Sequence, residues 1–193
     1  MQNGARKTSS HQQMMMMMRW GKFAAMIAVA TVIMFFLMYQ LIYSLDHAMF
    51  SNNRLMSALV MGAMMAFLMV AFMWSMLRPH AVRLAVLIGS LVLFVALLLV
   101  NRSEALNGDV GFMTSMIPHH SIAINNAEKA RITDPRVRKR ADEIISSQVR
   151  EIAEMKLLIA DIKRNGSRGR TALQPIAATV TPDMQPKIDQ AVK

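Results

Sequence analysis

The sequence predicts an all-α protein in which three transmembrane helices are followed by an antiparallel helical hairpin outside the membrane. Three observations lead there. Apolar residues make up 54% of the chain and crowd between Phe23 and Val100, leaving the remainder with the mixed composition of a water-exposed segment. The stretch from Asp109 to Arg164 repeats apolar residues with helical spacing and is broken by one strong turn signal. Cysteine is absent and methionine numbers 21, so no thiolate site exists and a soft metal ion would have to be held by thioethers or imidazoles.

Residues 1–22 carry Arg6, Lys7, Arg19 and Lys22 and form the first segment. Residues 23–100 form the membrane domain, with spans expected at 23–43, 55–77 and 84–100, each within the roughly 17–25 residues that cross a hydrocarbon core. The first run lacks a small-residue cleavage pattern after it and is followed by two more spans, so it is read as an anchor rather than a signal peptide. Of the Lys and Arg residues up to Val100, four precede the first span, Arg78 and Arg83 lie between the second and third, and Arg54 alone lies between the first and second. Basic residues are retained on the cytoplasmic side, so the N-terminus is expected inside and everything after Val100 outside. In a bacterium this means the inner membrane, with the C-terminal region in the periplasm and membrane lipid as a partner.

The formal charge of +10 suggests nucleic acid only until it is located. Much of the excess flanks the spans. After Val100, fifteen bases face eleven acids, a balance that fits a solvated helix face and no nucleic-acid partner.

Five methionines at residues 14–18 point in all directions around a helix and define no site. In the second span Met61, Met65, Met69 and Met73 recur every four residues, near Met64 and Met76, as a thioether ladder or as flexible packing filler. Asp46, His47 and Met49 sit together between the first two spans, either as an interfacial turn or as a weaker second metal cluster.

Residues 101–164 form the hairpin domain. Asp109 is a helix N-cap, and that helix runs to about Arg131 through Pro118, which removes a backbone donor and is expected to kink it. Thr133-Asp134-Pro135 starts a second helix that ends at Asn165-Gly166. With Met113 as zero and about 100° per residue, His120 falls at about 340° on the apolar face and His119 at about 240° on its flank. With Val137 as zero, Gln148, Glu151 and Met155 fall at about 20°, 320° and 0°, so two polar residues interrupt the stripe. An antiparallel turn near Thr133 sets His120 against residues 146–148, Met116 against Glu151 and Met113 near Met155, with a tolerance of roughly one helical turn. A buried imidazole and carboxylate need partners. They find them either in a His120–Glu151–Gln148 network that fixes register or in a bound cation. A lone hairpin has too little core, so a homo-oligomer, most simply a dimeric four-helix bundle, is expected. The tail, residues 165–193, is read as flexible, with weak helical tendency near its end.

The motif Met116-Ile-Pro-His-His120, followed by Gln148-x-x-Glu151-x-x-x-Met155, resembles the domain-of-unknown-function family 305, over about residues 109–162. That resemblance implies a ferritin-like half-bundle and, for some periplasmic members, copper binding and copper resistance. It marks Met113, Met116, His119, His120, Glu151 and Met155 as ligands, with Gln148 in support. The loop Ser44-Leu-Asp-His-Ala-Met-Phe50 resembles a membrane-bound branch associated with heavy-metal resistance. One departure is Asn126, beside His119, where family members often carry methionine.

The expected function is therefore a membrane-anchored periplasmic binder of copper, as copper(I), or of silver(I), for heavy-metal homeostasis, and more a binder than an enzyme. A ferritin-like oxidase would want several carboxylates, and Glu151 is alone in the stripe. The alternative is a structural or regulatory membrane oligomer whose polar stripe sets helix register without metal.

Overall fold

The structure, a computed structural model, describes residues 2–192. The side chains of residues 1–19 lie outside that description, and with them the methionine run 14–18 and the bases Arg6, Lys7 and Arg19. The described residues are all-helical. Helices α1 (Gln2–Leu37), α2 (Asn52–Phe72), α3 (His80–Ser103), α4 (Asp109–Lys129), α5 (Pro135–Asn165) and α6 (Gln185–Gln190) follow one another, with a 3-10 turn at Leu45–His47. Two compact units result: one from residues up to Gln40 with Ser51–Gly108, the other from Leu41–Phe50 with Asp109–Lys193.

In the first unit, Trp20–Leu37, Asn52–Phe72 and His80–Ser103 are each long and apolar enough to cross a membrane. Their large apolar side chains are mostly exposed, among them Val29 and Phe36 on α1 and Val92 and Leu99 on α3, as expected where lipid is the solvent. The boundaries differ from those read from hydropathy, because turns and the contacts that hold them end and begin helices where hydropathy is blind. Helix α1 stops at Leu37 rather than near Tyr43. There the backbone tightens into turns, and Arg54 lies over the Tyr39 ring at 4.2 Å and donates to the Met38 carbonyl. Helix α2 stops at Phe72 rather than Leu77. Helix α3 begins at His80, directly after Pro79, and its polar first turn was excluded by the hydropathy run starting at Leu84. Arg83 closes this connection, lying 3.9 Å over Trp74 and donating to the Leu77 carbonyl at 3.3 Å. Helix α3 also runs past Val100 to Ser103, and the unit ends at Gly108 rather than at 100.

The buried face of α2 is built from small residues, Ala58, Gly62 and Ala63, with Val70 further along. Small residues let helix backbones approach closely in a membrane. Met61 is exposed and Met65, Met69 and Met73 are half-buried, so this row lines the edge of the packing rather than its centre.

The second unit is a helical hairpin with a loop packed on it. Helix α4 continues unbroken through Pro118. Asp134 caps α5, its carboxylate accepting from the Arg136 amide at 2.9 Å, and Pro135 occupies the first turn. Gly166 closes α5 at φ 81°, a conformation that costs glycine little. Met113, Ile117, Ile124, Ile152 and Ile159 form the core, with Met49, Val110, Ile145, Met155 and Ile162 packed against it. Residues 167–184 are exposed apart from half-buried Thr181 and lack regular helix until the short α6.

A Cβ at Gly62 would overlap the Thr31 hydroxyl, which is itself held by the Ile27 carbonyl at 2.8 Å, whereas Gly89 has open space around it. Gly62→Leu is expected to destabilise the purified protein in detergent by about 1–3 kcal/mol, as overpacking does. Gly89→Leu should leave the thermal midpoint unchanged, and equal midpoints for the two variants would contradict this packing.

Candidate metal site

The residues singled out in the hairpin differ in placement. Met113 is buried within the core, and Met155 packs against that same core from α5. His120 and Glu151 meet at its edge, with His120 Nε2 2.7 Å from Glu151 Oε2. Met116, Gln148 and Glu151 are half-buried, while His119 and Asn126 are exposed.

His120 pairs with Glu151 rather than with residues 146–148. In a helix the side chains lean toward their own N-terminus, so in an antiparallel pair His120 leans away from the turn and Glu151 leans toward it. Each lean shifts the meeting point, and a register drawn from Cα positions misses it by about one turn. Met116 takes part through its backbone: its carbonyl faces His120 Nδ1 at 2.9 Å. The carbonyl is an acceptor, so Nδ1 must donate to it, which fixes the ring and aims Nε2 at Glu151.

The apolar stripe is also rotated from its expected position. On α5 the buried residues are Ala141, Ile152 and Ile159, which on the wheel centred on Val137 fall at about 40–60°. Val137 and Ile144 are exposed at 52% and 37%, and Glu151 is correspondingly an edge residue rather than a fully buried one. On α4 the burial spreads past Ile117 to Pro118, Ser121 and Asn125. A second packing partner accounts for this breadth.

That partner is the loop Leu41–Phe50, which belongs to this unit and not with the spans on either side. Ser121, fully buried, accepts from the Tyr43 amide at 2.8 Å, and its hydroxyl lies 3.0 Å from His47 Nδ1. Tyr43 also reaches Glu128 at 3.3 Å. Asp46 accepts from Lys156 on α5 at 2.5 Å and from Ser44. The weaker cluster thus lies on the hairpin, with Met49 against its core and with His47 and Asp46 engaged by Ser121 and Lys156. Ser121 and Lys156 were not singled out from sequence. Ser121 carried a signal, since it falls at about 80° on the α4 wheel, beside Ile117 at about 40°; Lys156 carried none.

Among the described residues no three His, Asp or Glu side chains converge on one point. Met113 lies within the core and Met155 packs against it, while His120 and Glu151 pair with each other.

The Lys156 ammonium and the Ser44 hydroxyl hold the Asp46 carboxyl down at about 2. Burial lowers the His47 pKa from its ordinary 6.5, outweighing the opposing pull of Asp46. Neutral His47 therefore accepts from Ser121 through Nδ1 and carries its proton on Nε2, 3.6 Å from Asp46. Because the folded value is depressed, this contribution to loop docking is fully present above the ordinary 6.5 and is lost as pH falls through the lowered value. Histidine NMR of the full chain in detergent should show His47 titrating below 6.5, with the loop loosening in that window; a value above 6.5 would contradict the contact with Ser121.

Residues 109–191 match the model of a family described as a domain of unknown function (DUF305). A curated relative, the "Uncharacterized protein L153" of Acanthamoeba polyphaga mimivirus, is 30% identical over 98 residues, covering 49% of this chain. The aligned region spans 64% of that protein's length. No solved structure matches.

Proposed function

We propose that the protein is a membrane-anchored binder of a soft monovalent metal ion, copper(I) or silver(I), serving heavy-metal homeostasis or resistance. The observation that carries this reading is the placement of His120 and Glu151 at the edge of a core that contains Met113 and receives Met155. Thioethers and imidazole select soft ions. His120 Nε2, Met113 and Met155 would hold the ion, with Glu151 orienting the ring and balancing its charge. Met116 and His119 flank the site, the latter from the exposed side. The ion would supply binding chemistry, and no reaction is required of it.

A structural role is favoured by one specific feature: both ring nitrogens of His120 already have partners, so the pair is able to fix register without metal. The two readings separate in His119→Ala with His120→Ala. A binder loses copper(I) in a competition titration while its helical content is unchanged; a register-setting network loses thermal stability. Copper(I) binding equal to the parent's would remove these histidines from the site.

For orientation, we read the N-terminus as cytoplasmic and the hairpin as periplasmic in a bacterial inner membrane, supported by Arg78 on the α2–α3 connection and Arg83 in the first turn of α3. The two crossings between them, α2 and α3, would put the α1–α2 loop and everything after α3 on one side. The chain has no cysteine, so single-cysteine labelling is free of background. In intact cells Leu173→Cys should react with an impermeant maleimide, and Ser75→Cys should react only after permeabilisation; the reverse pattern inverts the topology.

A second copy of the chain is the partner this reading favours. Val137, Ile144 and Leu158 are exposed on α5 at multiples of seven residues, the spacing of a helix-pairing seam.

A further inference from the structure

We infer that the end of the first unit formed by the start of the apolar part of α1 and the α2–α3 connection binds the headgroup phosphate of an anionic phospholipid, with Arg78 and Lys22 as its contacts. This rests on reading α1–α3 as membrane spans and is independent of the metal site. The charge at this end is not balanced by the protein. Arg83 is only 3% exposed. Its guanidinium donates to the Trp74 and Leu77 carbonyls and to the His80 ring, and it lies 3.9 Å over the Trp74 indole. None of these partners is an anion, and Nε is buried without a hydrogen-bond partner among the described residues. A buried cation without a counter-ion is costly, so an anion held close by stabilises it.

The unit has almost nothing of its own to supply that anion. There is no Asp or Glu between Met1 and Gln40 or between Ser51 and Ser103, so its one acid is Glu104. Glu104 follows the far end of α3, on the order of 30 Å from Arg83 at about 1.5 Å per residue, well beyond a Debye length of about 10 Å. There it is engaged by the Asn53 amide at 2.9 Å. The basic end also has the marks of the headgroup level of a bilayer. Both tryptophans of the chain are here: Trp20 donates to the Arg78 carbonyl at 2.9 Å, tying α1 to the connection, and Trp74 carries Arg83. Arg78 is exposed, as is Lys22 two residues along α1 from Trp20. Free phosphate shares the headgroup's charge, but Val82, Leu84 and Ile88 are exposed on α3 around Arg83 and offer a surface for acyl chains. A basic pocket at the end of packed spans is a setting that suits anionic headgroups.

The test uses the full chain in detergent with phosphatidylglycerol or phosphatidylcholine added, and reads retained lipid by native mass spectrometry. The parent should retain phosphatidylglycerol in preference, and less of it as salt rises. Arg78→Gln should cut that retention about fivefold, the weight of one basic residue at an anionic surface. Arg102→Gln, which removes the same charge near the opposite end of α3, should leave it unchanged. The thermal midpoint in phosphatidylcholine should be equal for Arg78→Gln and the parent, because the variant keeps the carbonyl that Trp20 bonds. Equal losses in the two variants would assign the effect to net charge and overturn the site. Displacement of the lipid by inorganic phosphate at matched concentration would make it a free-anion site instead. Equal retention of both lipids by the parent overturns the inference whatever the variants do and leaves the membrane reading standing; retention of neither overturns both.

Discussion

The narrowness of the core shared by α4 and α5 governs how the rest of this unit is assembled. Two helices packed along one stripe bury a single row of side chains from each, here Met113, Ile117 and Ile124 against Ile152 and Ile159. So small a core does not support a stable domain by apolar burial alone. The chain adds a third layer by folding the loop between α1 and α2 onto the open side of α4. Ser121 makes this layer possible. A larger apolar residue would fill the place where the Tyr43 amide and His47 approach, and would leave the amide without a partner in a buried setting.

Much of the architecture was legible from sequence because its signals are local. Asp134-Pro135 and Gly166 bound α5 where capping chemistry says they should, and the three apolar runs coincide in their centres with the three helices apolar enough to cross a membrane. Their ends do not coincide. Hydropathy averages over a window and cannot see that Arg54 captures the Met38 carbonyl, or that Pro79 resets the backbone ahead of His80. The polar first turn of α3 and the early close of α1 come from those contacts.

The contact between His120 and Glu151 was legible from sequence, the arrangement around it less so. A helical wheel assumes one partner and therefore one stripe, whereas α4 has two. The loop meets α4 at Ser121, outside the expected stripe, and on α5 the buried residue is Ile152 while Glu151 lies at the edge. The Asp46–Lys156 pair was beyond reach for a different reason. The two residues are 110 positions apart, and an exposed lysine on an amphipathic helix looks like any other solvated base.

Glu151's edge position decides what the His120 pair is able to do. A fully buried ion pair resists separation, because removing one member strands the other's charge in a low dielectric. With the Glu151 side chain 38% exposed, water reaches the carboxylate, and pairs of this kind are worth about 0–1 kcal/mol. The His120 ring stays oriented when Glu151 lets go, because Nδ1 remains bonded to the Met116 carbonyl within the same helix. Nε2 is then open to another partner without rotation of the ring, which is the property the proposed metal site would use.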